Sequence, residues 1–316
     1  MSTGENFQIY SQQLHEIVSA IGKAIIGKGD MVKLVVLSLV SGGHVLIEDV
    51  PGVGKTGLVS ALSRAVSCQF KRIQFTPDIM PSDITGFSVY NQKTGEFEFR
   101  PGAAMSNFIL ADEINRASAK AQASLLEVME EKQVTIDSET HILDEPFMVL
   151  ATQNPLDNLG TYPLPEAQID RFQIKISLGY PHFDEELRIM AMTDEEKADV
   201  PIAATGDDII AIRKAAGRVH TDDSIRRYIG DIVTATRNHK SAVLGASPRG
   251  SIALYRMSRA MALYEGRDYV LPDDVKHLAP SVLSHRLILT PEAKIDKVQP
   301  VSIINGILEK TPAPPY

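Results

Sequence analysis

The sequence predicts an α/β protein with a five-stranded parallel sheet between helices, followed by a small all-α domain. Over the first two-thirds of the chain, short β-branched runs alternate with helical stretches, which is typical of a mostly parallel sheet covered by helices. Beyond residue 207, apolar residues recur at three- and four-residue spacing, and no strand is predicted there. We therefore assign residues 1–192 to the α/β core, 193–207 to a linker and 208–316 to the helical domain.

Five segments of the core carry the strand pattern. Several of them are apolar at successive positions, which suits strands that are buried on both faces. The predicted strands span residues 44–48, 71–75, 107–111, 147–152 and 173–177.

Two further segments are predicted to form β-hairpins that protrude from the core. One lies near residues 84–102, and the other, at 133–143, follows a predicted helix over 118–131. In the first hairpin, apolar residues of the two strands are expected to face each other across a turn. These residues are Phe87 and Val89 on one strand and Phe97 and Phe99 on the other.

Composition and charge exclude several classes of function. The formal net charge of −8 argues against a general nucleic-acid binder, which needs a basic surface. The longest apolar run, residues 31–40, is interrupted by Lys33 and is too short to span a bilayer, and the amino terminus lacks a secretory signal. A single cysteine, Cys68, rules out an internal disulfide framework. We therefore expect a cytoplasmic protein with no nucleic-acid partner and no membrane insertion.

A glycine-containing turn between the first strand and the next helix suggests a phosphate-binding loop. The stretch "EDVPGVGKTG" (48–57) fits the pattern G-x-x-x-x-G-K-[ST] except that Asp49 stands at the first glycine. Backbone amides in such a loop point at phosphate oxygens, while Lys55 neutralises the β- and γ-phosphates and Thr56 ligates Mg²⁺. The alternative is a glycine-rich turn that only looks similar. The candidate ATP-binding residues here are Pro51, Gly52, Val53, Gly54, Lys55, Thr56 and Gly57.

Polar residues follow the third and fourth predicted strands. Asp112 is expected to hold Mg²⁺ through water beside the loop, and Glu113 to polarise the water that attacks the γ-phosphate. Asn154 is expected to lie level with Asp112 if the strands are adjacent, where its amide would hold that water. The alternatives are an acidic pair that starts a solvated loop and an ordinary Asn-Pro turn.

Two arginines complete the candidate catalytic set. Arg171 lies just before the fifth strand, and Arg249 lies in the first turn of a helix that Ser247 caps and Pro248 begins. The helix dipole disfavours a cation at that position, whereas a bound triphosphate nearby would favour it. For each arginine, a surface ion pair is the alternative.

Six ordered segments make the chain resemble an AAA+ ATPase of the MoxR family, in the clade with an insert in helix 2. They correspond to the Walker A, Walker B, presensor, sensor 1, arginine-finger and sensor 2 regions of that family, and the similarity spans roughly residues 20 to 290. The family tolerates Asp49, so the loop is interpreted as functional. The segments are "EDVPGVGKT", "FILADEINRA", "LLEVMEEKQVTID", "ATQNP", "LPEAQIDRF" and "GASPRG".

The resemblance implies a P-loop NTPase core with a helical lid, and it assigns further roles. Arg171 would act from a neighbouring subunit on the γ-phosphate, Arg249 would reach down from the lid, and Arg116 is a second basic candidate at the subunit boundary. The segment "AIIGKGDMV" resembles the family's adenine-side segment, for which plain core packing is the alternative. Its candidate base-pocket residues are Ile25, Ile26 and Gly27.

The function that the resemblance implies is Mg²⁺-dependent ATP hydrolysis. This hydrolysis would drive chaperone-like remodelling, assembly or maturation of partner complexes. The resemblance further implies a homo-oligomeric, hexameric ring in which both hairpins face the central opening, and a von Willebrand factor A domain protein or another client as partner. A nucleotide-gated scaffold with little turnover and, less favoured, a nucleic-acid-associated ATPase remain alternatives.

Overall fold

The computed structural model describes residues 3–50, 52–155, 162–193 and 199–315. Of the predicted residues, Pro51 lies outside these ranges, as does part of the linker, so the boundary at 193–207 stays a prediction. No helix in the described part of the chain combines the length and the apolar character needed to cross a membrane.

The core begins with two helices and then alternates strands and helices. The helices are α1 (Thr3–Gly22), α2 (Gly29–Val40), α3 (Lys55–Ala65), α4 (Pro81–Thr85), α5 (Ala119–Glu131), α6 (Glu166–Ile169) and α7 (Phe183–Thr193). The strands are β1 (Val45–Glu48), β2 (Phe70–Gln74), β3 (Gly86–Asn91), β4 (Glu96–Pro101), β5 (Phe108–Asp112), β6 (Gln133–Ile136), β7 (Glu139–Ile142), β8 (Met148–Gln153) and β9 (Ile174–Ile176).

The main sheet has five parallel strands in the order β2-β5-β8-β1-β9, which confirms the predicted sheet. Its central strands are buried on both faces, as their continuous apolar runs predict. Along β1, Val45 and Ile47 pack into one hydrophobic cluster with α1, α2 and α3, whereas Leu46 packs into a second cluster with α5. The sheet is therefore the middle layer of a three-layer core.

Beyond the core lies the lid, which consists of six helices and one short antiparallel strand pair. The helices are α8 (Gly206–Ala216), α9 (Asp223–Arg237), α10 (Pro248–Tyr264), α11 (Pro272–Leu283), α12 (Pro291–Ile295) and α13 (Pro300–Lys310). The strands β10 (Ala242–Leu244) and β11 (Ile288–Leu289) are absent from the prediction, because two or three residues are too few to carry an alternating pattern. The lid helices share the hydrophobic cluster of α1 and α2.

Both predicted hairpins are present, but the predicted register of the first is wrong. Phe87 pairs with Arg100 and Val89 with Glu98, so these two apolar residues lie on the face opposite to Phe97 and Phe99. The turn has four residues, since Asn91 pairs with Glu96, and this turn length shifts the pairing by one residue.

The second hairpin, β6–β7, follows α5 directly and closes through a two-residue turn at Asp137 and Ser138. Both turn residues have positive φ, 48° and 72°, as a tight hairpin turn requires. The rings of Phe99 and His141 stack with their centroids 4.0 Å apart, so the two hairpins form one projection. Exposed apolar side chains cover it: Phe87, Tyr90, Phe97 and Ile142.

Candidate nucleotide-binding site

The carboxyl ends of β1, β8 and β5 meet at one edge of the sheet. Ala111 pairs with Ala151, and Glu48 pairs with Gln153, so the residues that follow each strand emerge side by side. One strand separates β1 from β5, which corresponds to about 10 Å between the phosphate loop and the end of β5. The strand order therefore brings the predicted loop and the predicted acidic pair to the same edge.

Two glycines of the loop adopt the left-handed backbone conformation. Gly52 and Gly54 both have φ of +88°, and apart from their chain neighbours no atom lies within 4 Å of the point where a Cβ would stand, so open space adjoins both glycines. Helix α3 begins at Lys55 with no side chain capping its first amides, so they are available to an anion. The ammonium of Lys55 donates to the carbonyl oxygens of Asp49 and Val50, at 2.9 and 3.2 Å.

Asp49 explains why the first glycine of the strict pattern is dispensable here. Its buried carboxylate accepts hydrogen bonds from the backbone amides of Leu178 and Gly179, the second at 3.0 Å. The side chain thus ties the entry of the phosphate loop to the segment that follows β9. A glycine at this position would leave both amides without this partner.

Replacing Asp49 by Ala is expected to lower the free energy of unfolding by about 1–3 kcal/mol, because two amides lose a charged acceptor. The affinity for a nucleotide is expected to fall as well, since the loop entry is no longer held. Urea denaturation and nucleotide titration measure the two effects. Glu309→Ala, which removes an exposed carboxylate from α13, is the matched control. Unchanged stability in Asp49→Ala would contradict this role.

The side chain of Asp112 is fixed by two neighbouring strands. Arg72 of β2 donates to Oδ2 from Nη2 at 2.6 Å and from Nε at 3.2 Å, and the hydroxyl of Thr152 donates to Oδ1 at 2.7 Å. A carboxylate has about four acceptor positions, so its two oxygens keep capacity for water ligands of a metal. Thr56, whose side chain is exposed at the start of α3, offers a second hard oxygen ligand. Oxygen donors of this kind fit Mg²⁺.

Glu113 follows Asp112 in the left-handed backbone region, with φ of +57°. Its amide donates to Thr152 Oγ1 at 2.9 Å, and its carboxylate accepts from Gln74 Nε2 at 2.8 Å and pairs with Arg116 Nε at 3.1 Å. A non-glycine residue with positive φ is costly and is typical of functional turns. Arg116, predicted at the subunit boundary, therefore contacts the acidic pair of its own chain.

The predicted position of Asn154 is off by two residues. Strands β5 and β8 are adjacent, as expected, but their register puts Thr152 rather than Asn154 level with Asp112. Asn154 comes directly after β8, is buried, and stands further along the carboxyl edge of the sheet. The error arose because the sequence marks where a strand ends without fixing how far its neighbour extends.

The predicted adenine-side segment lies beside the loop. A Cβ on Gly57 would stand 3.4 Å from Ile25 Cδ1, and Gly27 has φ of +74°, with Glu185 of α7 against it. Ile25 also packs partly against the main hydrophobic cluster, so the structure is compatible with both predicted interpretations of it.

Arg171 and Arg249 are not brought to the phosphate loop of their own chain. They lie at the amino edge of the sheet, where both pair with Glu130 of α5; the distance from Arg171 Nη1 to Glu130 Oε2 is 2.8 Å. The predicted cap of α10 is present, since Ser247 Oγ accepts from the amide of Arg249 at 3.0 Å. Strands β1 and β8 have four and six residues, so the amino and carboxyl edges of the sheet lie about 15 Å apart.

A cavity of about 320 Å³ contains both arginines. It lies between α5, the residues that precede β1 and β9, and the lid helix α10, and its lining is rich in cations. The charged residues among those that line it are Glu130, Lys132, Asp170, Arg171, Arg249, Arg256 and Arg286.

Arg286 and Asp170 fix the lid against the core beside this cavity. Arg286 Nε donates to Asp170 Oδ1 at 2.9 Å, its Nη2 donates to the carbonyl oxygen of Phe172 at 2.6 Å, and Ser247 Oγ donates to Asp170 Oδ2 at 2.8 Å. Burial lowers the pKa of Arg286 to about 10, with Asp170 opposing that change, so the guanidinium stays charged at neutral pH. These contacts hold the lid on the core, so that Arg249 of the lid lies beside Arg171 of the core.

His44 fixes the other wall of the cavity. Its Nδ1 accepts from the amide of Val149 at 2.9 Å, so Nε2 carries the proton and donates to the carbonyl oxygen of Met129 at 3.1 Å. Burial lowers the pKa of His44 to about 4, which keeps the ring neutral at pH 7. This contact places the end of α5, and with it Glu130.

Sequence reasoning missed four residues that shape these sites. Thr152 lies inside the quoted stretch "ATQNP" and Glu130 inside "LLEVMEEKQVTID", so position in a motif is the signal that could have found them. Arg72 and Gln74 lie on the edge strand β2, where alternate exposed polar residues carry no functional signal by themselves.

Comparisons with known proteins identify matches to both the core and the lid. Residues 44–174 match the family described as "ATPase family associated with various cellular activities (AAA)", and residues 234–307 match the AAA lid domain. YeaC of Bacillus subtilis is 49% identical over 312 residues, which cover 96% of this chain and 97% of YeaC. Chaperone MoxR1 of Mycobacterium tuberculosis is 42% identical over 313 residues, 95% of this chain and 82% of that protein. A crystal structure of a candidate ATPase from Cytophaga hutchinsonii matches with a TM-score of 0.92 at 42% identity, over 98% of both chains.

Proposed function

The chain belongs to the MoxR family of AAA+ ATPases, and on this basis we propose that it hydrolyses Mg²⁺-bound ATP to remodel, assemble or mature partner protein complexes. One observation carries the chemical part of the proposal. The acidic pair that ends β5 and the open phosphate loop that follows β1 share one edge of the sheet, a single strand apart. Metal, phosphate and water ligands for phosphoryl transfer are thereby available together.

Each residue at this edge has a proposed task. Loop amides and Lys55 bind the β- and γ-phosphates, while Thr56 would hold Mg²⁺ directly and Asp112 would hold it through water. When bound, Mg²⁺ neutralises charge on the phosphate oxygens. Glu113 orients the attacking water and accepts its proton, and Asn154 holds that water from the neighbouring strand.

We place Arg171 and Arg249 at the nucleotide of a neighbouring subunit. Their position at the amino edge of the sheet supports this, because the phosphate loop of the same chain lies at the opposite edge. Each copy then offers a loop on one side and arginines on the other, which is a head-to-tail arrangement. Such contacts close into a ring, for which the family resemblance suggests six copies.

The client-facing part of the proposal rests on the hairpin projection. Phe97 is 73% exposed and Ile142 is 75% exposed, which is costly in water and suits contact with another protein. The relative from Mycobacterium tuberculosis, Chaperone MoxR1, is named as a chaperone, which supports the same proposal. We propose a cytoplasmic protein that acts on a client such as a von Willebrand factor A domain protein, without nucleic acid.

Steady-state phosphate release should depend on assembly if the arginines act between subunits. We expect the rate per chain to rise with protein concentration and to level off once sedimentation velocity shows full oligomerisation. Lys55→Ala, which lacks the phosphate-binding ammonium, should show no release at any concentration. A rate per chain that is independent of concentration across the assembly transition would contradict the ring mechanism, and negligible turnover throughout would favour the scaffold.

A further inference from the structure

Helix α7 exposes several large apolar side chains. It has only 11 residues, and an isolated helix of that length is marginal in water. Phe183 is 75% exposed and Leu187 is 46% exposed, and Tyr180, just before the helix, is 74% exposed. Phe183 and Leu187 lie four residues apart within α7 and therefore share one face of the helix. Such a face requires a covering surface.

The lid carries an apolar groove of matching size. It lies between α9 and α10, has a volume of about 300 Å³, and is lined by Arg226, Ile229, Gly230, Ser251, Ile252 and Tyr255. A cavity of about 150 Å³ holds one benzene ring, so this groove has room for a phenylalanine and a leucine side chain. Ile252, which is 50% exposed, also lines the arginine cavity, so the two cavities adjoin.

The groove and α7 lie beside complementary halves of the catalytic machinery. Asp49 in the loop binds the amides of Leu178 and Gly179, and Phe183 follows Gly179 by four residues, which limits their separation to about 14 Å. On the lid, Ile252 follows Arg249 by three residues along α10, or about 4.5 Å of helix rise. When Arg249 of one copy approaches the loop of the next, the groove of the first copy comes within reach of α7 of the second.

Charge supports the same pairing. The first turn of α7 carries Asp184, Glu185 and Glu186, three consecutive carboxylates. Beside the groove, Arg249 and Arg256 lie seven residues apart on α10 and face the same side as Ile252. Opposite charges flanking an apolar contact steer association and fix its register.

We propose that α7 docks into the α9–α10 groove of a second copy of this chain, with Phe183 and Leu187 inserted and the acidic first turn against Arg256, while Arg249 stays directed at the nucleotide. This inference rests on the proposed trans action of the arginines and names the surface that delivers them. Through Ile252 the groove adjoins the arginine cavity at the amino edge of the sheet, whereas α7 follows β9 from the carboxyl edge, so the groove of the same chain lies on the far side of the sheet from the start of α7.

Disulfide trapping tests the contact directly. Cys68 is half-buried, and burial raises its pKa to about 11, so it adds little background reactivity. Leu187→Cys and Ser251→Cys chains, mixed with Mg²⁺, a non-hydrolysable ATP analogue and a mild oxidant, are expected to form a cross-linked dimer. Each variant alone should remain uncross-linked. Glu96→Cys, at an exposed hairpin position, replaces Leu187→Cys in the matched control and should give no product with Ser251→Cys.

A second variant separates this surface from the catalytic proposal. Phe183→Ser removes an exposed ring, so the circular dichroism spectrum should stay unchanged while sedimentation velocity shifts towards the monomer. A missing cross-link, or unchanged assembly in Phe183→Ser, would overturn the docking proposal. The proposed action of Arg171 on a neighbouring subunit is tested separately, by mixing two inactive variants. A disulfide within single chains that carry both cysteines, at high dilution, would also overturn it, because the chain's own lid would then cover α7.

Discussion

Glu113→Gln is expected to lower steady-state phosphate release by about 10²- to 10⁴-fold while leaving the affinity for Mg²⁺ and ATP nearly unchanged. The amide keeps the size of the side chain and the hydrogen bond from the Thr152 hydroxyl to Asp112 is untouched, so the metal ligand stays in place. Glutamine cannot accept the proton of the attacking water, so the chemical step fails. Phosphate release and equilibrium binding of a fluorescent ATP analogue measure the two quantities separately.

Glu131→Gln is the matched control, since it removes an exposed carboxylate at the end of α5 and should leave the rate unchanged. A Glu113→Gln variant that binds nucleotide and still releases phosphate at the normal rate would show that another group activates the water. Because the stalled variant keeps ATP bound, it is also the form in which a client should remain attached during purification. Recovery of nucleic acid in place of protein would contradict the remodelling proposal.

The sheet and the location of polar residues at its carboxyl edge were largely predictable from the sequence. Continuous apolar runs identify buried parallel strands, and a polar residue at the end of such a strand must emerge at the carboxyl edge. Asp112, Glu113 and Lys55 could therefore be assigned to one site before any coordinates were known. The helix cap at Ser247 was equally predictable, because capping depends on neighbouring residues in the sequence.

Interactions that depend on register or on distant packing were not predictable. Thr152 contacts Asp112 because β8 and β5 pair in one particular register, and a shift of two residues would have brought Asn154 there, as predicted. Glu130 pairs with both Arg171 and Arg249 because α5, the start of β9 and the lid converge, and no local pattern encodes that convergence. The predicted register of the first hairpin was wrong for a related reason, since the length of its turn determines which residues pair.

Arg171→Ala is expected to lower phosphate release by about 10³-fold or more, and mixing it with Lys55→Ala should restore part of the activity. In a head-to-tail ring, an interface is active when the subunit with an intact loop meets a neighbour with an intact arginine. Random assembly of equal amounts places an Arg171→Ala loop against a Lys55→Ala arginine at about a quarter of the interfaces, so about a quarter of the normal rate should return. Arg218→Ala, which removes an exposed arginine outside the cavity, should retain full activity. If the two variants form mixed oligomers and activity does not return, Arg171 does not act across the boundary, and its contacts with Glu130 and with the carbonyl oxygen of Leu126 are then structural.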